Sequence, residues 1–144
     1  MEVKKIKKQL REYFDPLANE LSLEGPKELS FSHTQFSLQY SNSRVGLEFS
    51  VDLSDFFIYA LLFKVRDGNT TIGYQDESGV RQKKYIQEIL KELSIDCEEE
   101  TKKLQILGGD YKNCAKMALE LSRLIKQNWD EIYDHYDHNT SPVQ

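Results

Sequence analysis

The chain has 144 residues, of which 39% are hydrophobic and 30% are charged, and its formal net charge is −5. This length predicts one domain with a single core that buries about two-thirds of the surface of the unfolded chain. The composition excludes a disordered chain, and the acidic balance argues against a general nucleic-acid binder, which needs a basic face to neutralise phosphates. An acidic protein favours basic partners instead.

Residues 3–21 place an apolar side chain at every third or fourth position, and most of the lysines between them fall on the other side. That spacing predicts an amphipathic first helix. Pro16 interrupts the pattern, so the helix either kinks there or divides into two short helices, and Gly25 and Pro26 end it. The N-terminal sequence is charged from its second residue and lacks the apolar stretch of a secretory signal, so we expect a cytoplasmic protein.

The middle of the chain alternates apolar and polar residues, as a half-buried strand does. The alternation slips near Thr34, which indicates a bulge or a turn. In residues 45–53 the odd positions are apolar, whereas Glu48, Ser50 and Asp52 are polar. This second stretch predicts a strand with one face in the core and one face in water.

The most hydrophobic stretch of the chain runs from Phe56 to Phe63. It is too short to cross a bilayer, because a transmembrane helix needs about 20 apolar residues. We therefore predict that residues 45–53 and 56–66 form a hairpin whose second strand is central in the sheet and covered on both faces. A short strand over residues 70–75 follows, between turn signals.

The second half of the chain changes to helical spacing. Apolar positions predict a helix over residues 80–94 and a closing helix over about 111–135, with Asp110 as its N-terminal cap. The pattern over residues 95–109 fits a short strand or a turn of helix equally well. Residues 138–144 have nothing to bury and are expected to fray.

The order of these elements predicts the fold class. A helix, then a run of strands, then helices is typical of an α+β protein. We expect an N-terminal helix, an antiparallel meander of three to four strands and two C-terminal helices packed on one sheet face, all within one domain spanning residues 1–137.

Acidic side chains mark the predicted wet face of the sheet. Glu48 and Asp52 point the same way along one strand and Asp55 lies just beyond, which makes a row of carboxylates about 13 Å long. Such a row suits a basic partner, although a solvated strand face explains the same pattern. As a general acid and base, Asp52 and Asp55 would need environments that separate their pKa values, and the sequence supplies none.

Tyrosines and a nearby acidic turn extend this candidate surface. The chain has eight tyrosines. They cannot all lie in the core, and a tyrosine at a rim is a good interface residue. The residues predicted to contact a partner are Glu48, Asp52, Asp55, Tyr74, Asp76 and Glu77. We expect no catalytic residue, no cofactor and no metal ligand.

Two other groups of residues allow a chemical interpretation. His135 and His138 are spaced to reach one side of a metal ion, together with the aspartates between Asp134 and His138. A metal needs fixed ligands, however, and these residues lie near a terminus that is expected to fray, so a charged helix end is the favoured explanation. Cys97 and Cys114 lie in unrelated surroundings, which favours two free thiols in a reducing compartment.

Three features together resemble a known group of proteins: the small size of the chain, its acidic charge and the segment "RVGLEFSVDLSDFFIYALLFKVRDG", residues 44–68. The chain resembles the bacterial immunity proteins that neutralise polymorphic or contact-dependent toxins. The resemblance is one of type, covers about a sixth of the chain and carries over no site residues, because that group shares no common motif.

This resemblance implies a non-enzymatic inhibitor that occludes a basic toxin domain, or another basic protein, through an acidic face. Two alternatives stay open. One is a metal-dependent hydrolase that uses the C-terminal Asp and His cluster. The other is a homodimer formed through an exposed sheet edge.

Overall fold

The computed structural model describes residues 3–68 and 73–138, and within them it is an α+β protein with four α-helices and a five-stranded antiparallel sheet. This confirms the predicted class, with one more strand and one more helix than expected. The elements in chain order are α1 (Val3–Glu20), β1 (Glu24–Ser32), β2 (Gln35–Ser41), β3 (Val45–Asp52), β4 (Phe57–Lys64), β5 (Lys83–Tyr85), α2 (Ile86–Glu92), α3 (Glu98–Leu107), a 3₁₀ turn (Tyr111–Asn113) and α4 (Cys114–His138).

The sheet is a meander in which every strand pairs with its neighbours in the chain, in the order β1-β2-β3-β4-β5. The predicted hairpin is confirmed, since β3 and β4 pair without a break from Val45 opposite Lys64 to Asp52 opposite Phe57. The prediction that β4 is a central strand holds in that β4 pairs along both edges, with β3 on one side and with β5 on the other through three residue pairs. The middle strand of the five is β3, and β4 is not covered on both faces along its whole length, because Tyr59 is 39% exposed.

One face of the sheet, here called the inner face, packs against α1 and α4. The ring of Phe14 from α1 stacks on Phe49 from β3 with 3.6 Å between ring centroids. The hydroxyl of Tyr136 from α4 donates a 3.3 Å hydrogen bond to the carbonyl of Leu62 in β4. The odd-numbered apolar residues of β3 are buried on this face, as the alternation predicts.

The first helix has almost the predicted extent and is not divided into two. It runs from Val3 to Glu20 as one helix with Pro16 inside it. The turn after it ends before Gly25 and Pro26, which lie in β1 rather than ending the helix. The register slip near Thr34 is the two-residue turn between β1 and β2.

The helices of the second half differ most from prediction. Residues 83–85 form β5 and leave α2 only Ile86–Glu92 of the predicted 80–94. The undecided stretch contains α3. Asp110 caps the 3₁₀ turn before α4, because its carboxylate accepts the Lys112 backbone N–H at 3.0 Å.

Two more predictions fall partly outside the described residues. Of the predicted strand 70–75, residues 70–72 lie outside them, and Gln75 forms an isolated bridge with Arg81. Of the predicted tail 138–144, His138 belongs to α4 and the other residues lie outside the described part.

The last turn of α4 is held by two cations, one in β4 and one in the turn before β3. The Lys64 ammonium donates to the backbone carbonyls of Tyr136 and Asp137, and Arg44 forms a 2.9 Å ion pair with the Asp137 carboxylate. A cation at a helix C-terminus satisfies carbonyls that have no partner within the helix.

Candidate binding groove on the outer face of the sheet

The face opposite the inner one, here called the outer face, carries a groove of about 520 Å³. The strand register aligns Gln39, Glu48, Leu61 and Tyr85 across four strands, so the outer face is continuous from β2 to β5. The groove lies on this face, and its lining combines aromatic with charged side chains: Phe31, Tyr59, Tyr74, Tyr85, Glu48, Asp52 and Lys83.

A buried ion pair lies in the groove lining. Glu48 is 3% exposed and its carboxylate lies 2.7 Å from the Lys83 ammonium, which is also buried. The Gln39 side-chain amide donates to the same carboxylate oxygen at 2.6 Å. A buried charge needs a partner of this kind, because its desolvation is otherwise uncompensated.

The expectation that Glu48 faces water is therefore wrong. The residue lies on the predicted face of β3, but β5 brings Lys83 against it and removes it from solvent. Its negative charge is neutralised inside the protein. Glu48 thus acts first as the link between β3 and β5.

Aromatic rings form a row along the groove. Phe57, Tyr59, Tyr85 and Tyr74 follow one another with ring centroids 4.8, 5.9 and 6.1 Å apart. Tyr59 and Tyr74 remain 39% and 38% exposed. The row is therefore a continuous aromatic surface that still reaches solvent.

Arg81 closes one end of this aromatic row. Its guanidinium carbon lies 5.1 Å from the centroid of the Tyr74 ring and 5.9 Å from that of Tyr85. Both terminal nitrogens donate to the Glu88 carboxylate, and Nε donates to the Lys83 carbonyl at 2.8 Å. The hydrogen bond from Arg81 lowers the pKa of Glu88, so this pair is ionised at neutral pH.

Asp52 lies at the end of β3, where the groove meets the turn into β4. One of its oxygens, Oδ1, accepts the Ser54 hydroxyl at 2.6 Å and the Ser54 backbone N–H at 2.9 Å. The hydroxyl bond is the main cause that lowers the pKa of Asp52, so the carboxylate stays charged. Burial, and after it the charge of Asp52, raise the pKa of Tyr59, which lines the same groove.

The six residues predicted to contact a partner divide into two groups. Glu48, Asp52 and Tyr74 line the groove, whereas Asp55, Asp76 and Glu77 are exposed outside its lining. Asp76 organises its own loop by accepting the backbone N–H groups of Ser78 and Val80, both at 2.9 Å. The structure thus brings together half of the predicted set.

Sequence reasoning missed Lys83, Tyr85 and Tyr59 as groove residues. Lys83 and Tyr85 belong to a strand of only three residues, which is too short to show an alternating pattern, and the helical spacing that begins at Tyr85 led to one helix being predicted over both. Tyr59 was hidden in a continuous apolar run, although its position opposite the polar Ser50 in the predicted hairpin is the signal for the outer face.

The histidines near the C-terminus do not converge. Nε2 of His135 lies 2.9 Å from the Glu92 carboxylate, and Nδ1 of His138 lies 2.7 Å from the Asp134 carbonyl. Within residues 3–68 and 73–138, no group of three or more His, Cys, Asp and Glu side chains is placed to hold a metal ion.

The two cysteines are free and differ in their surroundings. Cys114 is buried in the core, and burial raises the pKa of its thiol to about 11. Cys97 is half-buried before α3. A buried thiol with a raised pKa is a poor nucleophile.

Comparison of the chain with protein-family models, with curated proteins and with solved structures gave no match. None of the helices in the described residues has both the length and the apolar content that a bilayer crossing requires.

Proposed function

We propose that the chain is a non-enzymatic binding module that holds a basic protein segment in the outer-face groove, with Asp52 and the aromatic row as its contact surface. The observation that carries this proposal is the charge balance of the groove. Glu48 is paired with Lys83 and Arg81 with Glu88, whereas Asp52 has hydrogen-bond donors but no ion-pair partner among the described residues.

The charge that remains in the groove is therefore negative. Asp52 supplies it inside the groove, and the exposed Asp55 adds to it nearby. Complementary charge of this kind speeds encounter with a basic partner and selects against acidic ones. The net charge of −5 acts in the same direction over the whole protein.

The aromatic row supplies contact area that charge alone does not. Interface residues that dominate affinity are enriched in tyrosine, because the ring buries much surface and loses little rotamer freedom. Tyr59 and Tyr74 are held by Phe57, Tyr85 and Arg81 before any partner arrives. Side chains that are already packed against one another lose less conformational entropy on binding.

The resemblance to bacterial immunity proteins supports a basic toxin domain as the partner. In that interpretation the chain is a cytoplasmic inhibitor that occludes a basic toxin domain, with no turnover. The groove argument requires only a basic protein segment, so it stands without the inhibitor role.

The test measures affinity for the protein encoded by the neighbouring reading frame, which the inhibitor role requires to be basic, by isothermal titration calorimetry with the full chain. The double variant Asp52→Asn, Asp55→Asn keeps an acceptor for Ser54 and removes two charges. We expect it to weaken binding by about tenfold or more, which corresponds to about 1.4 kcal/mol.

A matched control removes the same total charge elsewhere. Glu99→Gln with Asp130→Asn changes two exposed helix residues and should leave the affinity unchanged. Equal weakening by both doubles would show that general charge, not the groove, attracts the partner. Failure of the neighbouring protein to bind the unaltered chain would remove the proposed inhibitor role.

A further inference from the structure

We infer that the groove is built to receive an arginine side chain, stacked on Tyr59 and Tyr74 and hydrogen bonded to Asp52. The inference rests on the proposed function, since the arginine would be the anchor of the basic partner. It goes further by naming one side-chain chemistry and the three residues that recognise it.

The aromatic row already binds one guanidinium from within the chain. Arg81 stacks on Tyr74 and Tyr85 at 5.1 and 5.9 Å and is held in place by Glu88. Guanidinium groups are planar and weakly hydrated, so they stack on aromatic faces more readily than an ammonium does. Tyr59 continues the row beyond Tyr85 and is 39% exposed.

The polar end of the groove offers hydrogen-bond acceptors to a cation. The hydrogen bonds from Ser54 and from the Asp55 backbone N–H all reach Oδ1 of Asp52, and no described residue donates to its Oδ2. Gln35 and Ser50 also line the groove, and each has a side-chain oxygen that can accept. A guanidinium with five N–H donors uses such a set more fully than an ammonium with three.

An incoming cation need not break an existing ion pair. Glu48 stays paired with Lys83, and Glu88 stays paired with Arg81. The incoming cation therefore compensates the charge of the ionised Asp52. A neutral or acidic side chain in the same position would bury this carboxylate without a partner, which is costly. The groove thus selects for positive charge at one point.

The probe is N-acetyl-arginine N-methylamide, titrated into the full chain while NMR follows the ring signals of labelled tyrosines. We expect saturable shifts at Tyr59, Tyr74 and Tyr85 with a dissociation constant in the millimolar range, as suits one side chain. The lysine analogue should bind several-fold more weakly, and the uncharged citrulline analogue about tenfold or more weakly.

Matched variants identify the residues. Asp52→Asn and Tyr59→Leu should each weaken binding of the arginine probe by about tenfold. Apart from the changed residue, the NMR spectrum of each variant without the probe should match that of the unaltered chain. Asp130→Asn and Tyr111→Leu change an exposed aspartate and an exposed tyrosine on the helical side of the chain. These two controls should leave the titration unchanged.

Equal binding of the citrulline analogue, tighter binding of the lysine analogue, or no saturable shift at 100 mM probe, roughly a hundredfold above a millimolar constant, would each overturn the inference. The result is separable from the proposed function. If the neighbouring protein binds through Asp52 while the arginine probe does not, the binding role stands and the arginine anchor is wrong.

Discussion

The two faces of the sheet differ in the kind of side chain that they bury. On the inner face, β3 presents Leu47, Phe49 and Val51 to the helices, and all three are fully buried in an apolar core. On the outer face, the same strand buries Glu48 against Lys83 and leaves Asp52 half-buried. The inner face is therefore expected to carry stability, and the outer face recognition.

The largest loss of stability should come from the inner face. Phe49→Ala removes the ring stacked on Phe14 and leaves a cavity in the middle of the sheet, so we expect unfolding to become easier by about 3–5 kcal/mol. Tyr59→Ala, on the outer face, should cost about 1 kcal/mol, because that ring is partly in water. Urea denaturation of both variants measures the difference, and similar losses would contradict the division of roles.

The second prediction concerns the charged pair of the outer face. Lys83→Met leaves Glu48 buried without its cation, so we expect a loss of about 3 kcal/mol. The double variant Glu48→Leu, Lys83→Met removes both charges and should recover most of that loss, since an apolar pair of similar volume is often as stable. Denaturant unfolding of the two variants measures this.

A double variant no more stable than Lys83→Met would mean that Lys83 acts mainly through packing. Its ammonium lies 5.9 Å from the centroid of the buried Phe63 ring, which is the contact that such packing would use. The double variant also tests recognition, because Asp52 keeps its charge and should still bind the partner.

The inner face was predictable from the sequence, whereas the outer face was not. Alternation over residues 45–53 fixes which side chains share a face, and both strands of the hairpin follow from it. Whether an outward residue meets water depends on what lies across the sheet, and for Glu48 that is Lys83, 35 residues later in the chain. No local pattern carries this information.

The groove itself was hidden for the same reason. β5 pairs through only three residues, Lys83–Tyr85, and runs directly into α2. A three-residue strand is too short to show period two, so the helical spacing that follows dominated the prediction. Asp52 was identified correctly as an acid on the outer face, because it belongs to the long strand whose alternation is clear.

The smallest effect we predict is a pH dependence at the edge of the groove. The hydrogen bonds from Arg81 lower the pKa of Glu88 below its ordinary value of 4.5. A carboxyl group whose pKa is lowered by folding stabilises the protein above the unfolded pKa, and the contribution is lost as the pH falls through the folded pKa. The unaltered protein should therefore lose stability from about pH 4.5 downward.

Glu88→Gln tests this contribution through stability curves measured by thermal unfolding between neutral and acid pH. The variant should be slightly less stable at pH 7 and should show a shallower decline below that threshold, so that the two curves converge in acid. Arg81→Gln should give the same pattern, because it removes the other half of the pair. The effect stays small since the Glu88 side chain is 36% exposed and solvent screens the interaction; parallel curves for Glu88→Gln and the unaltered protein would show that this pair does not contribute to the pH dependence.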